Sequence, residues 1–315
     1  MSHRCDSLWS MLRLIALGIL AIPVCAQTAT NPYDLARSIE GRNVDWASFW
    51  KKLGVAKPPD MPRCEVDWAC SADVITLLNP SQAIVVVSAM PEDVYLRFLE
   101  DRAGWRYAGV HITFKKNFGR RYEISRMLDK AFLRVSSQGA SGSDVDSEVE
   151  SWFDLSLLDF EPVFEFTVQG SEIRYGVGVS RWVHANATLA GESIEVDLEV
   201  QYSEALYVDL GHARYKAIYA RQPNQKKFSL REVHPFFSDA PEISNKDFEN
   251  LANIDGAAID ENPSNEKLLV YTLPRLKEIA SGTEAENKEW LRSVLSFCKD
   301  TPEKRALQAL LGNKQ

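Results

Sequence analysis

The sequence predicts an α+β protein: an antiparallel β-meander body, made of one or two β units, between an N-terminal helix and a small C-terminal helical unit. Apolar and polar residues alternate with a period of two through the middle of the chain, and turn signals separate the alternating segments. The period returns to 3.6 toward both ends. The short spacing between segments leaves little room for the crossover helices that parallel strands require, which favours hairpins.

Residues 1–26 have the layout of a secretory signal peptide. An arginine-containing start is followed by an apolar run, Leu12–Val24, and by small side chains that predict cleavage after Ala26. The run is too short to span a bilayer comfortably, which disfavours a membrane anchor, and a valine before Cys25 disfavours a lipoprotein. The sequence therefore predicts export to the periplasm or the extracellular space, with no transmembrane segment after cleavage.

Residues 27–60 predict one helix and a linker. Asn43 can cap the helix, Gly54 stands where a helix commonly ends, and a cluster of prolines marks the linker. Apolar side chains recur at helical spacing: Val44, Trp46, Phe49, Trp50 and Leu53. We expect a short helix with so large an apolar surface to dock onto the domain that follows it.

Residues 61–235 predict the antiparallel β region. Its clearest strand is Ile194–Tyr202, where apolar and polar residues alternate without interruption and so point to opposite faces of a sheet. Other segments have the length and composition of strands: Ala83–Val87, Val94–Leu99, Val110–Phe114, Tyr122–Met127, Ala131–Ser136, Val163–Val168, Ile173–Val179, Tyr215–Tyr219 and Phe228–Val233. The Ser-, Gly- and Asp-rich residues 136–147 mark where two β units would divide.

Residues 236–315 predict the C-terminal helical unit. Ser244 indicates a capped helix start, Thr283–Glu286 indicates a capping box, and Pro302 stands at the first position of a last helix. A leucine-rich segment follows the period of another helix, in which Pro274 predicts a kink or a break.

Three cysteines remain once the leader is removed, and two of them are close together in the chain. Cys64 and Cys70 predict a disulfide bond, because an exported chain meets an oxidising compartment. The alternative, a metal clip, would need further cysteine or histidine residues at close spacing. Cys298 falls on an apolar helix face, which indicates a buried free thiol, with an intermolecular disulfide as the alternative.

The charge of the chain disfavours nucleic acid as a partner. The formal net charge is -8, and the leader, with two arginines and one aspartate, carries +1, so the mature chain is left at -9. Such a chain lacks the basic surface with which proteins neutralise nucleic-acid phosphates or anionic lipids. We therefore expect no nucleic-acid partner.

No local motif for catalysis or cofactor binding is present. The sequence lacks a Gly-x-Ser-x-Gly elbow, a His-Glu-x-x-His zinc motif, a phosphate-binding glycine loop and a dinucleotide fingerprint. We therefore expect no metal and no cofactor. The histidines of the mature chain are scattered in or beside predicted strands: His111, His184, His212 and His234.

Two groups of carboxylates have a functional interpretation beside a structural one. Asp144, Asp146 and Glu148 alternate and offer oxygen ligands to Ca²⁺, but the segment lacks the full calcium-loop pattern, which favours a solvated acidic loop. The acids at 195, 197 and 199 share one side of a strand, as carboxylates for glycoside cleavage would. Arginine or lysine on neighbouring strands would explain the same row as surface charge.

The aromatic residues of the β region favour a binding role. Most of them fit as packing between sheet faces, but a concave sheet lined by aromatic rings would bind a small apolar or sugar ligand. Without a catalytic signature, the sequence favours an exported, non-catalytic binding or structural protein of the cell envelope or extracellular space. Its partner would be such a ligand or another protein.

Two other functions compete with this one. A secreted hydrolase would assemble its site from distant residues, with His111, His184 or His234 as the base and Asp144 or Asp197 as the carboxylate that orients it. Alternatively, the protein is a subunit of an envelope assembly and docks through its C-terminal helices.

Overall fold

The fold is built mainly from antiparallel strands, with short helices before them and further helices after them, which confirms the predicted class. The computed structural model describes residues 31–41, 44–52, 55, 61, 64, 70–89, 91–114, 122–127, 130–142, 145–174, 179–204, 209–236, 241–254 and 264–312. The predicted signal peptide, most of the predicted linker and Asp144 lie outside these ranges.

The described helices are α1 (Pro32–Ser38), α2 (Trp46–Lys52), α3 (Asn245–Ala252), α4 (Ser264–Ser281), α5 (Ala285–Phe297) and α6 (Pro302–Gly312). The strands are β1 (Glu40–Gly41), β2 (Cys70–Thr76), β3 (Gln82–Ser88), β4 (Glu92–Asp101), β5 (Gly104–Phe114), β6 (Tyr122–Met127), β7 (Lys130–Ser141), β8 (Val145–Asp154), β9 (Phe164–Arg174), β10 (Val179–Ala190), β11 (Ser193–Glu204), β12 (Asp209–Arg221) and β13 (Phe228–Pro235). Within the described ranges, no helix has the length and apolar composition needed to cross a membrane.

The strands form two sheets in which each strand pairs with the next one along the chain. The small sheet contains β1–β5 and the large sheet contains β6–β13, and every pairing in both is antiparallel. The change of sheet falls between β5 and β6. Of residues 136–147, where the sequence predicts a possible division, residues 136–141 lie on β7 and residues 145–147 on β8, and these two strands pair with each other.

The elements stack in four layers. Helices α1 and α2 cover one face of the small sheet, the other face of the small sheet meets β7 and β8 of the large sheet, and α3–α6 cover the far side of the large sheet. Side chains alternate along β7 and β8. Phe132 and Trp152 belong to the core of the large sheet, where they pack against Phe164 and Phe228, while their neighbours Leu133 and Phe153 belong to the core shared with the small sheet.

Strands β3 and β4 are buried on both faces, which is why they read as continuous apolar runs rather than as alternating strands. On β4, Val94, Leu96 and Phe98 face the N-terminal helices, whereas Tyr95 faces the large sheet. The N-terminal layer includes Cys64 and Cys70, whose sulfur atoms lie at the bonding distance of 2.00 Å.

A buried arginine joins the two sheets. Arg97 of β4 is 1% exposed and donates to the backbone carbonyls of Leu155, Leu157 and Asp159, in the turn that follows β8. Burial lowers the pKa of the Arg97 guanidinium, and the nearby carboxylate of Asp154 acts in the opposite direction. The small sheet is therefore held to the large one by polar contacts as well as by apolar packing.

Small side chains bring the C-terminal helices close to the large sheet. The buried face of β10–β12 contains four alanines: Ala185, Ala187, Ala213 and Ala217. The helices fill the space above them with larger apolar side chains, among them Phe248, Leu269, Leu276 and Leu291. We call this side of β10–β12 the covered face and the opposite side the open face.

Several local predictions need correction. Helix α1 was not predicted; Pro32 begins it, and the Asn31 side chain accepts the Tyr33 N–H. Helix α2 begins at Trp46, and the carboxylate of Asp45 accepts the Ser48 N–H.

Two of the C-terminal helices also differ in detail from their predictions. Helix α4 continues through Pro274 to Ser281, so of the two predicted outcomes, a kink or a break, the break does not occur. Helix α5 has Glu284 as its N-cap without a side-chain capping bond, so Thr283 does not act as the predicted cap. Ser244 does cap α3, because its hydroxyl accepts the Asp247 N–H at 3.2 Å.

Candidate functional site

The large sheet curls so that strands far apart in its order come together at one end. The backbone N–H of Phe228, at the start of β13, donates to the carbonyl of Val163, immediately before β9, at 2.8 Å. At the same end, Arg221 of β12 lies 2.6 Å from the carboxylate of Asp154 at the end of β8. These contacts bring aromatic side chains from three strands around one space.

The resulting cavity, which we call the aromatic pocket, has a volume of about 580 Å³ and opens between β9, β12, β13 and helix α3. Four rings line it: Phe164, Phe166, Tyr219 and Phe228. The Phe164 ring packs edge-on against Tyr219 at 4.8 Å and lies nearly parallel to Phe166 at 5.3 Å. Since the volume falls in the range of small-molecule sites, the pocket is large enough for an organic ligand of moderate size.

A buried ion pair supports the aromatic cluster beside the pocket. The Asp154 side chain is fully buried and accepts from Ser156 and from Arg221, whose guanidinium also packs against the ring of Phe228 at 4.5 Å. Burial opposes ionisation of Asp154, but these hydrogen bonds outweigh it and lower the carboxyl pKa below its ordinary value. The pair thus fixes the ring of Phe228 without placing a free charge in the pocket.

Charged residues stand only at the rim among the described lining residues. Glu249 contributes negative charge and Lys227 contributes positive charge, and both side chains are exposed. The carboxylate of Glu165, which also lines the pocket, accepts the Ser151 hydroxyl at 2.9 Å. Burial, together with the charge of Glu249, raises the pKa of Tyr219, so its hydroxyl stays protonated at neutral pH. The interior therefore presents neutral aromatic surface, and the rim presents groups able to hydrogen-bond a polar end of a ligand.

Helix α3 forms one wall of the pocket, and a second buried arginine holds its end in place. Arg181 of β10 is 0% exposed and donates to the carbonyls of Asn250, Leu251 and Asn253, where the last turn of α3 leaves acceptors unpaired. Its Nε lies 2.8 Å from the carboxylate of Glu172, as an ion pair without the alignment of a hydrogen bond. The wall is thus fixed to the sheet by charge as well as by packing.

The histidines do not form a catalytic triad in the described part of the chain. His111 packs against the ring of Phe153 at 4.6 Å, where burial lowers its pKa despite the opposing charge of Glu165. His234 pairs with Glu232 at 3.1 Å on the surface. In neither place does a described hydroxyl or thiol complete a nucleophile–base–acid chain, and the same holds for exposed His184 and His212.

The predicted acidic groups lie on the outside of the large sheet. Glu195 and Asp197 both approach the ammonium of Lys216, at 3.0 and 3.7 Å, and Glu199 approaches Arg214 at 3.3 Å. These pairs are cross-strand contacts of the kind that surface charges make. Among the described residues, no three His, Cys, Asp or Glu side chains converge as a metal site would require.

The remaining sequence-predicted residues are placed as follows. Asp146 and Glu148 lie on β8, where Glu148 accepts from the Gln169 amide at 2.9 Å. Cys298 is a buried free thiol that donates to the Val294 carbonyl at 3.4 Å, and burial raises its pKa. The positive charge of Lys304 acts in the opposite direction on the pKa of this thiol, but the effect of burial is larger.

Sequence reasoning noted the aromatic residues of β9 but did not find the pocket. The sequence places Phe164 and Phe166 on one predicted strand and Tyr219 and Phe228 on two others, but it does not show that these strands meet. The missing information is the curl of the sheet, which depends on register shifts such as those at Glu148/Val149 and Ile218/Tyr219.

Comparison with known proteins gives no relative for this chain: no protein-family model, no curated protein and no solved structure matches it.

Proposed function

We propose that this is an exported, non-catalytic binding protein that holds a small, largely apolar ligand in the aromatic pocket. The observation that carries the proposal is the open space left between α3 and the curled sheet, lined by rings rather than filled by them. A cleft of this size that is lined by several aromatic rings has the dimensions and lining typical of small-molecule sites.

The chemistry of the lining supports an apolar ligand with one polar end. Phe164 and Phe166 offer ring faces and edges, and the neighbouring Tyr219 hydroxyl is neutral. The charged residues at the rim would meet the polar end without being desolvated themselves. Dispersion and hydrophobic contact with the rings would then supply most of the binding free energy.

Two features support the export part of the proposal. The N-terminal sequence has the layout of a signal peptide, and the disulfide between Cys64 and Cys70 suits an oxidising compartment. We expect the protein recovered from outside the cytoplasm to begin at Gln27, which mass spectrometry of its N-terminal peptide would establish. Recovery of the uncleaved chain in the cytoplasm alone would contradict export.

Fluorescence of the neutral apolar dye N-phenylnaphthylamine tests the pocket. We expect the dye to bind the folded protein and Phe166→Ala to weaken binding by roughly tenfold, because a ring that covers the ligand is lost. Phe297→Ala is the matched control: Phe297 is 56% exposed at the end of α5 and does not line the pocket, so its removal leaves dye binding unchanged. Absence of dye binding, or equal binding by Phe166→Ala and wild type, would refute the proposal.

A further inference from the structure

Packing within the protein does not explain the position of Trp182. It lies in the middle of β10, on the open face of the large sheet, and 47% of its surface is exposed. The tryptophans of the two cores behave differently: Trp50 is 3% exposed and Trp152 is 0% exposed. A large ring left half in water at the centre of a sheet is available for contact with a ligand.

The ring lies in a groove and not on a flat surface. The groove has a volume of about 500 Å³ and crosses strands β8–β11. Ser171 of β9 and Gln201 of β11 lie directly across from Trp182, and His184 lies two residues along the same strand on the same face. Gln169 lies directly across from His184 and also lines the groove.

These neighbours both donate and accept hydrogen bonds. The amides of Gln169 and Gln201 and the hydroxyl of Ser171 carry donors and acceptors, and the imidazole of His184 adds two ring nitrogens. A ligand with many hydroxyl groups needs this mixture, because each hydroxyl can donate one bond and accept others. The C–H face of a sugar ring matches the apolar face of an indole in shape and polarity.

Part of the negative charge of the groove is already paired or hydrogen-bonded within the protein. Glu199 pairs with Arg214 at 3.3 Å, and Glu148 accepts from Gln169 at 2.9 Å. A quaternary ammonium ligand would require an aromatic cage, and Trp182 is the one aromatic residue among the described groove residues. The acidic side chains disfavour phosphate and nucleic acid.

We propose that the Trp182 groove binds a neutral oligosaccharide, with a sugar ring stacked on the indole and its hydroxyls bonded to Gln169, Ser171, His184 and Gln201. This site is separate from the aromatic pocket, because the two lie on opposite faces of the large sheet and share no lining residue.

Titration calorimetry with cellohexaose, maltohexaose and chitohexaose tests the proposal. We expect at least one of the three to bind, with a shift in tryptophan emission, and Trp182→Ala to weaken that binding by roughly tenfold or more. Trp182→Phe keeps a smaller ring and is expected to retain part of the affinity. Phe114→Ala, which removes a ring that is 52% exposed on the small sheet, is the control and leaves binding unchanged.

Urea denaturation of each variant shows whether it is folded, so that loss of binding is not confused with loss of structure. Binding of none of the three saccharides, binding of choline in their place, or full binding by folded Trp182→Ala would each overturn the proposal. Dye binding at the aromatic pocket should be the same in wild type and Trp182→Ala, which separates this proposal from the proposed function.

Discussion

The two faces of the large sheet are built from the same alternating strands but are used in different ways. On β10, Ala185 and Ala187 point to the covered face, while Trp182 and His184 point to the open face. The covered face carries small apolar residues and packs against helices, and the aromatic pocket opens at one end of it. The open face carries long polar side chains that pair with each other across strands.

The two faces show two ways in which a sheet can present a surface to a ligand. On the covered face, the aromatic pocket exists because α3 is held at a fixed position and its last turn stops short of filling the curl of the sheet. On the open face, no partner element is needed, because alternation alone exposes Trp182. Ligand binding at the aromatic pocket should therefore depend on the stability of the fold and on the docking of α3, whereas binding at Trp182 should not.

We expect the largest effect from a substitution that disrupts the covered face alone. Arg181→Met removes a fully buried guanidinium, leaving Glu172 without its cation and the end of α3 without its donors. We expect the free energy of unfolding to fall by about 3–5 kcal/mol, the usual cost of breaking a buried ion pair. Urea denaturation measures this, and dye binding should weaken as α3 loses its anchor.

The same substitution on the open face provides the control. Arg214 pairs with Glu199, but the two side chains are 45% and 42% exposed. We expect Arg214→Met to cost less than about 1 kcal/mol, because exposed ion pairs contribute little. Equal destabilisation by Arg181→Met and Arg214→Met would show that the two faces do not differ in the way described.

A smaller effect is the dependence of stability on pH, which should be larger for the buried Asp154 than for Asp197 on the open face. The pKa of Asp154 is lowered from its ordinary value of 3.8 in the folded protein, so its contribution to stability is present above that value and is lost as the pH falls through the lowered one. Asp154→Asn should cost about 1.5–3 kcal/mol at neutral pH, the range for hydrogen bonds to charged groups.

Thermal unfolding as a function of pH measures this difference. We expect the wild-type and Asp154→Asn curves to approach each other below about pH 4, because the unfolded chain then binds a proton at Asp154 that the folded protein accepts only at lower pH. Asp197→Asn, which alters a carboxylate that is 52% exposed on the open face, should change stability by less than about 1 kcal/mol. A gap between wild type and Asp154→Asn that persists unchanged at low pH would contradict the role assigned to Asp154.

The disulfide lies on neither face of the large sheet, so removing it tests whether the outer layer affects either binding surface. Cys64 and Cys70 are six residues apart, so the loop that they close is short and its loss should cost about 2 kcal/mol. The double variant Cys64→Ser/Cys70→Ser should lower stability without changing dye or saccharide affinity, because the bond lies beyond the small sheet. A change in either affinity would show that the outer layer is coupled to the large sheet.

Much of the fold follows from local pattern. The alternation over Ile194–Tyr202 predicts β11, and Pro302 predicts the start of α6, because period and proline geometry act within a few residues. Helix α1 was not predicted because it carries few apolar side chains, whereas in the equally short α2 the residues Trp46, Phe49 and Trp50 recur at helical spacing.

The aromatic pocket could not be found in this way. Phe164 and Phe228 are far apart in the chain, and only the curl of the sheet brings them within 6.3 Å. Trp182 is a different case. Its exposure follows from alternation with Val183 and Ala185, so the sequence contained the signal that this ring points away from the core.

The most direct test of the account is to fill the aromatic pocket from its helical wall. Ala252, the last residue of α3, lines the pocket and is only partly buried, so Ala252→Trp should place an indole in the space that a ligand would occupy. We predict that this variant stays folded in urea denaturation and loses binding of N-phenylnaphthylamine, whereas Trp182→Ala binds the dye as wild type does. Undiminished dye binding by folded Ala252→Trp would contradict the account.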